Sequence, residues 1–303
     1  MAVGYSPARY TSAADRVRQT VALVQRRGYA LTPSRLGRLC LGGPLSPDEV
    51  LWAVAATRDL TVADGLVIER TEVARVREIS SRAAAHDSDA AAYVPMTARF
   101  VSALVAVAPF VRSVSLAGSL ASGGFRASDD VDLNLIVDDG HRHLAYVAVN
   151  VLGLLHALAH RAKPVDDLTR RPIAPRLMTA NLILEVSQCH PLERQDMDMA
   201  YELLVAEPVF GRDAVDDVLD SNPALLDHFP QMASKQAPMQ IDPPPWRLPT
   251  SLFPEFLDEA ARHIGRAAWR YMQWTRRGHP DALARVAFVR STMRPYTLFD
   301  EGG

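Results

Sequence analysis

The chain has 303 residues, 48% of them apolar, and a formal net charge of −2. That length accommodates two domains or one large domain with an appendage, and the apolar fraction suffices for a packed core. The near-neutral balance offers no global attraction for nucleic acid, which disfavours an extended phosphate-binding surface.

The basic residues are nearly all Arg, with Lys163 and Lys235 the only lysines. A bias in base composition explains this more simply than an array of phosphate-binding forks. The two cysteines, Cys40 and Cys189, are far apart and have no partners at metal-ligand spacing, which argues against a disulfide framework and a structural zinc site. The opening MAVGYSPARYTSAADR lacks the basic-then-apolar pattern of a signal peptide. Leu144 to Ala159, the most apolar long stretch, is shorter than the roughly 20 residues a membrane span needs and reads as a buried helix. The expectation is a soluble, cytoplasmic protein.

Taken in order, residues 11–27 carry Val17, Val21, Leu23 and Val24 at helical spacing, with Gly28 as a stop. Thr32-Pro33 opens a helix carrying Leu36, Leu39 and Cys40 that ends at Gly42-Gly43. Ser46-Pro47-Asp48-Glu49 is a capping box, opening a helix to about Thr57. Residues 60–68 read as a hairpin turning at Asp64-Gly65. Three helices and a hairpin are the order of a winged helix. The face PDEVLWAVAATRD is acidic and apolar with Arg58 its only base, so a packing or protein-contact role is favoured over DNA binding.

Residues 69–92 read as an exposed, charge-rich helix, and 96–107 as an apolar helix ended by Pro109. A strand follows at Val111 to Ala117. Gly118-Ser119 breaks it, and after a small-residue loop Asp129-Asp130-Val131-Asp132 leads into the apolar alternation Leu133, Leu135, Ile136, Val137. Asp138-Asp139-Gly140 is a turn, and a helix over roughly 142–160 crosses back. A polar loop covers 161–175. Met178 to Val186 reads as a third strand, with Leu182 and Leu184 on one side and Asn181, Ile183 and Glu185 on the other. Helices are expected at 195–206, where Pro208 breaks the pattern, and at 213–228. The Pro-rich stretch 236–254 is a semi-stiff surface connector. A helix over about 254–277 would turn Ala260, Ile264, Ala267, Ala268 and Met272 inward, and a shorter one spans about 280–292.

The chemistry concentrates at 115–137. Asp130 and Asp132, one residue apart at the start of a strand, share a face. Two carboxylates pointing the same way repel, and a hard divalent cation such as Mg²⁺ is the usual answer. The Gly118-Ser119 turn supplies backbone N–H groups and a hydroxyl where a phosphate could approach. The residues alone thus point to metal-dependent phosphoryl or nucleotidyl transfer.

Gly118-Ser119, ten residues, then Asp130-Val131-Asp132-Leu133 resembles the Gly-Ser … Asp-x-Asp signature of the DNA polymerase beta-like nucleotidyltransferase superfamily. ThrAlaAsnLeuIleLeu (179–184), MetAlaTyrGluLeu (199–203) and the Tyr29-Ala30-Leu31-Thr32 box are similar to landmarks of an uncharacterised branch with an N-terminal winged-helix-like segment. The resemblance covers roughly 25–210. It implies a mixed α/β (α+β) fold in three regions: an N-terminal helical, winged-helix-like module (1–92), a nucleotidyltransferase core (93–212) and a C-terminal helical region (213–303). It further implies transfer of an NMP from an NTP to an acceptor with release of pyrophosphate. Asp130 and Asp132 would hold two Mg²⁺ (or Mn²⁺) ions, and Gly118 and Ser119 would bind the phosphates.

The superfamily's third carboxylate belongs on the later strand, where Asn181 stands; it can offer a metal only a neutral carbonyl oxygen. Glu185, four residues along, is about 13 Å away at ~3.3 Å per residue, and Glu202 is another carboxylate that could serve. The acceptor — small molecule, protein or RNA — is open. The alternative reading is a catalytically impaired nucleotide-binding regulator of the same fold, followed by a winged-helix DNA-binding regulator. Asp129 reads as a turn residue, Arg126 as solvated, His156/His160 and His190 as ordinary side chains, and Tyr201 and Glu202 in the first instance as packing and capping.

Overall fold

The computed structural model describes residues 12–164, 176–234 and 239–299. The N-terminal eleven residues, most of the 161–175 loop, Lys235 and Pro238 therefore lie outside the described residues. The chain forms a mixed α+β structure. Helix α1 (Ala13–Gln25) starts where Ser12 Oγ accepts from the Asp15 N–H. Helix α2 (Pro33–Arg38) is capped by Thr32 with proline in its first turn. Helix α3 (Pro47–Ala55) carries the full Ser46/Glu49 capping box. Strands β1 (Leu60–Ala63) and β2 (Leu66–Glu69) are antiparallel and turn at Asp64 (φ 49°) and Gly65 (φ 75°), a turn that needs left-handed backbone at both positions. Leu31 bridges Val67 to complete this unit. Its buried Val17, Val21, Leu36 and Val50 share one core with Leu182, Leu184 and Tyr201, so the N-terminal elements pack directly against the main sheet side.

The two helices read on either side of Pro95 are one: α4 (Val76–Val107) runs 32 residues with Pro95 inside it. A proline there removes one ladder bond. Thr97 Oγ1 donates to the Tyr93 carbonyl at 2.8 Å across the proline, and Tyr93 is itself anchored through its hydroxyl to the Ala127 carbonyl and its ring edge to Phe125.

The sheet follows: β3 (Val111–Ala117), a single helical turn α5 (Gly118–Ser122), β4 (Val131–Val137), α6 (Arg142–Ala159), β5 (Met178–Glu185), α7 (Met197–Val205) and β6 (Glu207–Phe210). Its order is β5-β4-β3-β6. The α6 crossover makes β4 and β5 parallel, while β3 is antiparallel to both β4 and β6. The sequence pattern predicts no strand at β6, because Pro208 reads as a helix breaker. It sits on the sheet edge, where a missing N–H is tolerated.

The expected helix 213–228 is two, α8 (Arg212–Ser221) and α9 (Pro223–His228), because Pro223 starts a new first turn. Beyond it the Pro-rich connector is strapped to the sheet edge and to the α4 end. Ile241 N–H donates to the Val209 carbonyl, Leu248 N–H to Ala106, and the Arg247 guanidinium to the Val105 and Pro109 carbonyls. Helix α10 (Phe256–Arg276) and helix α11 (Pro280–Met293) end the described chain.

Helices α4 and α6 cover one face of the sheet around Phe100, Leu104, Leu133, Leu135 and Val149, and α10 packs on α6. The inward side of α10 is Asp258, Ala261 and Gly265, with Trp269 and Met272 packing beside them. The expected Ala260, Ile264 and Ala267 face outward, Ile264 being 60% exposed. Asp258 fixes this rotation by accepting from His143 Nδ1 and the Leu144 N–H at the start of α6. Gly265 then admits the Phe299 and Tyr146 rings, which a Cβ would meet at 2.7 and 3.1 Å. Helix α6 is buried on one side only: Val151, Leu154, Leu155 and Leu158 are exposed. By length and composition alone, residues 70–107 and 142–159 would suffice to cross a membrane.

Candidate active site

The β3–β4 pairing sets Ala117 opposite Asp132, so the chain leaves β3 beside the Asp132 carboxylate. Gly118 has φ +62°, and a Cβ there would lie 2.1 Å from Asp132 Oδ2. Both the backbone conformation and the close approach require glycine. On the other side the parallel register sets Thr179 opposite Asp132, and Thr179 Oγ1 donates to Asp132 Oδ1 at 2.8 Å. Asp132 is thus held between a glycine and a threonine on neighbouring strands.

Asp129 is a fixing residue for the loop, as a turn residue should be. Its Oδ2 accepts from the Arg82 guanidinium (3.1 Å), from Ser119 Oγ (3.2 Å) and from the Arg126 N–H (3.2 Å). Arg82 also donates to the Gly124 carbonyl. The α4 helix is therefore pinned to the Gly-Ser turn, and the Ser119 hydroxyl points inward along the loop. Asp130 faces Arg176, with Nη1 3.3 Å from Oδ2.

Asn181 lies at a register shift. The pairing passes from Leu133↔Ala180 to Asn134↔Leu182, which turns Asn181 towards Asn134 and away from the side of Ile183 and Glu185. Its Nδ2 donates to Asn134 Oδ1 (3.0 Å) and to Glu202 Oε1 (2.8 Å), and Asn134 Nδ2 donates to the same Glu202 oxygen (3.2 Å). Glu202, brought in by α7, is 7% exposed and lines the cleft, so the carboxylate beside the Asp pair comes from a helix. Glu185 is occupied at the far end of β5, accepting from the Gly140 N–H. Behind Glu202, the Tyr201 and Tyr29 hydroxyls are 2.9 Å apart, and the Arg27 guanidinium lies over the Tyr201 ring. The Tyr29 box is thereby joined to α7.

These groups open into a cleft of about 670 Å³, a volume within the range of small-molecule sites. Arg27, Arg82, Lys163, Arg176 and Arg276 bring positive charge to its walls, and Tyr146, Trp269 and Phe299 give it an aromatic side. Burial raises the Asp132 carboxyl to about 7, Asp130 and Glu202 adding to the shift and the Thr179 bond and Arg176 opposing it. For Asp130 burial also acts upward, but Arg176, its own backbone N–H, Arg276 and Lys163 together hold it below its ordinary value. Burial raises Glu202, against the two asparagine bonds and Arg27.

Gly118, Ser119, Asp130, Asp132 and Asn181 all line this one cleft. Among the described residues no group of three or more His, Cys, Asp or Glu side chains is placed to hold a metal ion. Arg176 and Tyr146 were not singled out from the sequence, since neither belongs to a local pattern. His156 packs edge-on against Phe100, and His190 bonds the Ser221 hydroxyl. Both cysteines are buried thiols. No family model, curated protein or solved structure matches the chain.

Proposed function

We propose that the chain is a divalent-metal-dependent nucleotidyltransferase of the polymerase-beta-like kind, moving an NMP from an NTP to an acceptor with release of pyrophosphate. One observation carries this reading: strand, Gly-Ser turn and strand bring the Gly118 backbone against the Asp132 carboxylate, with Asp130 at the same strand start, in a cleft walled by cations. Such a donor set fits a hard cation. Asp130 and Asp132 offer anionic oxygens, and a carboxyl pushed up to about 7 by burial and by its neighbour is one that a divalent ion stabilises. Asp130 and Asp132 would hold Mg²⁺ or Mn²⁺, which when bound supplies charge neutralisation at the phosphates and acidifies the attacking hydroxyl.

The protein's own residues do the rest. Gly118 admits the Asp132 carboxylate at the strand end, and a phosphate arriving there would meet the Gly118-Ser119 turn, with the Ser119 hydroxyl leaving Asp129 to reach it. Asp129 and Arg82 keep that turn in place. Thr179 fixes the rotamer of Asp132. Asn134 and Asn181 hold Glu202 at the back of the cleft, where its charge strengthens the preference for a cation. Catalysis is then positioning and charge complementarity along an in-line path.

The pairing of Asp130 with Arg176 favours one other reading, a nucleotide-binding regulator without turnover. Pyrophosphate release from each of the four NTPs with Mg²⁺ separates the two. The enzyme reading requires release that the Asp130→Ala/Asp132→Ala double variant loses. Release that survives in the double variant refutes the site, and NTP binding with no release in the wild type favours the regulator.

A further inference from the structure

Helix α10 is apolar on two sides. One side packs on α6 through Asp258, Ala261 and Gly265. Turned away from it is a second stripe, Phe256, Ala260, Ile264, Ala267, Tyr271 and Trp274, all exposed, the four large side chains by 73, 60, 45 and 55%. Large apolar side chains scattered singly over a surface are ordinary, but a continuous row of them marks a contact. From Ala260 to Trp274 the steps alternate between four and three residues, the period of a coiled-coil seam. The Tyr271 and Trp274 rings stack with centroids 6.0 Å apart, and the Arg277 guanidinium lies 4.7 Å over Trp274, which holds the aromatic end of the row in place. Side-chain size alternates along the row: Ala260, Ile264, Ala267, Tyr271. Charge is polarised beside it, with Glu255 and Glu259 exposed at the start of the helix and Arg270 and Arg277 exposed at its end.

We infer that this stripe is the interface of a homodimer, in which α10 of one copy packs antiparallel against α10 of a second. The alternation of sizes selects both the occupant and the direction. With the two-fold axis between Ile264 and Ala267, Ile264 of each copy meets Ala267 of the other, and Tyr271 meets Ala260. Every layer then joins a large side chain to a small one. A parallel pair would set alanine on alanine and tyrosine on tyrosine, leaving gaps and crowding in alternate layers. At the ends, Trp274 reaches the Phe256-Leu257 step of the other copy. The same register brings Glu259 to Arg270 and Glu255 to Arg277 of the other copy, within about 3 Å along the axis at ~1.5 Å per residue. Parallel pairing would put like charges together instead. In the single chain Glu259 pairs with Arg262 and His263 on the surface, weak contacts that leave it able to change partner. Helix α10 is already ordered by its packing on α6, so association orders little new chain and a short seam suffices. The cleft takes Trp269, Met272 and Arg276 from other sides of α10, so the inference does not depend on what the cleft does.

Sedimentation equilibrium of the full chain tests this without any ligand. Over a range of about 1 to 100 μM, wild type should pass from monomer to dimer, as a small interface predicts. Ile264→Glu puts a charge at the centre of the seam and should weaken pairing at least about tenfold. Its circular dichroism melt in the monomer should match wild type, because Ile264 is exposed in the single chain. Glu259→Arg and Arg270→Glu should each weaken pairing about three- to tenfold, and the two together should restore it. Those differences should shrink in high salt. A wild type that stays monomeric over the whole range overturns the inference, and co-sedimentation of that monomer with phosphatidylserine vesicles would assign the stripe to lipid. A dimer that folded Ile264→Glu leaves intact overturns it too. A double charge exchange that pairs no better than the single ones denies the antiparallel arrangement. Should Ile264→Glu fail to fold, the wild-type titration and the charge exchanges still decide.

Discussion

Asp132→Asn should stabilise the metal-free protein at neutral and alkaline pH, although it removes a residue the proposed function needs. The Asp132 carboxyl is pushed from 3.8 to about 7 by burial and by Asp130. A carboxyl whose pKa is raised on folding keeps a proton that the unfolded chain has released. Its contribution is intact below about pH 4 and is lost as pH rises towards about 7. At ~1.36 kcal/mol per tenfold the full displacement is about 4 kcal/mol. Solvent in the cleft screens part of it, leaving roughly 2 kcal/mol. Asparagine does not titrate, and its side-chain oxygen can still accept from Thr179 Oγ1. Urea unfolding in EDTA across the range of about pH 4 to 8 should therefore give curves that agree at the acid end, with the variant more stable by roughly 2 kcal/mol at the alkaline end. Adding Mg²⁺ should stabilise wild type and leave the variant unmoved. A variant less stable than wild type at alkaline pH in EDTA, or a difference that does not change with pH, would refute the reasoning.

Two further substitutions probe the frame of the site. Gly118→Ala combines a φ of +62° with a Cβ 2.1 Å from Asp132 Oδ2, and should cost about 2–3 kcal/mol in urea unfolding while displacing the carboxylate; a cost near zero would mean the close approach is not a constraint. Asp129→Ala leaves the Arg82 guanidinium without its carboxylate, with only the Gly124 carbonyl to accept from it, where both side chains are 12% exposed. It should cost about 3 kcal/mol and free the Ser119 turn, seen as faster amide hydrogen exchange over residues 118–124; unchanged exchange would deny Asp129 its fixing role.

What the sequence revealed of this molecule was what local chemistry controls. The caps at Thr32 and Ser46, the Asp64-Gly65 turn and the strands around Gly118-Ser119 and Asp130-x-Asp132 each depend on a few adjacent residues, and each stands where the pattern put it. Pro95 and Pro208 misled because a proline's cost is set by tertiary surroundings. The first is bridged by Thr97 and the Tyr93 anchor, and the second lies on a sheet edge. The amphipathic spacing of α10 was visible, but its rotation was not. That is decided by Asp258 capping α6 and by Gly265 admitting Phe299, contacts between residues more than 30 positions apart. Of the candidate site, the Gly118-Ser119 turn and the Asp130/Asp132 pair were legible as neighbours, and they line one cleft. Asn181 was found on the right strand but read on the wrong side, because a one-residue register shift inverts the face of every residue beside it. Its bond to Glu202, and the approach of Arg176 and Tyr146, arise only when α6, α7 and the start of β5 converge on one cleft.

The central claim is that this cleft transfers a nucleoside monophosphate. The direct measurement is mass spectrometry of products from each NTP with Mg²⁺ and pooled small-molecule, protein and RNA acceptors. A nucleoside monophosphate added to an acceptor, with equimolar pyrophosphate and dependence on Asp130 and Asp132, is the predicted result. Addition of a single phosphoryl group with release of the nucleoside diphosphate would contradict the account.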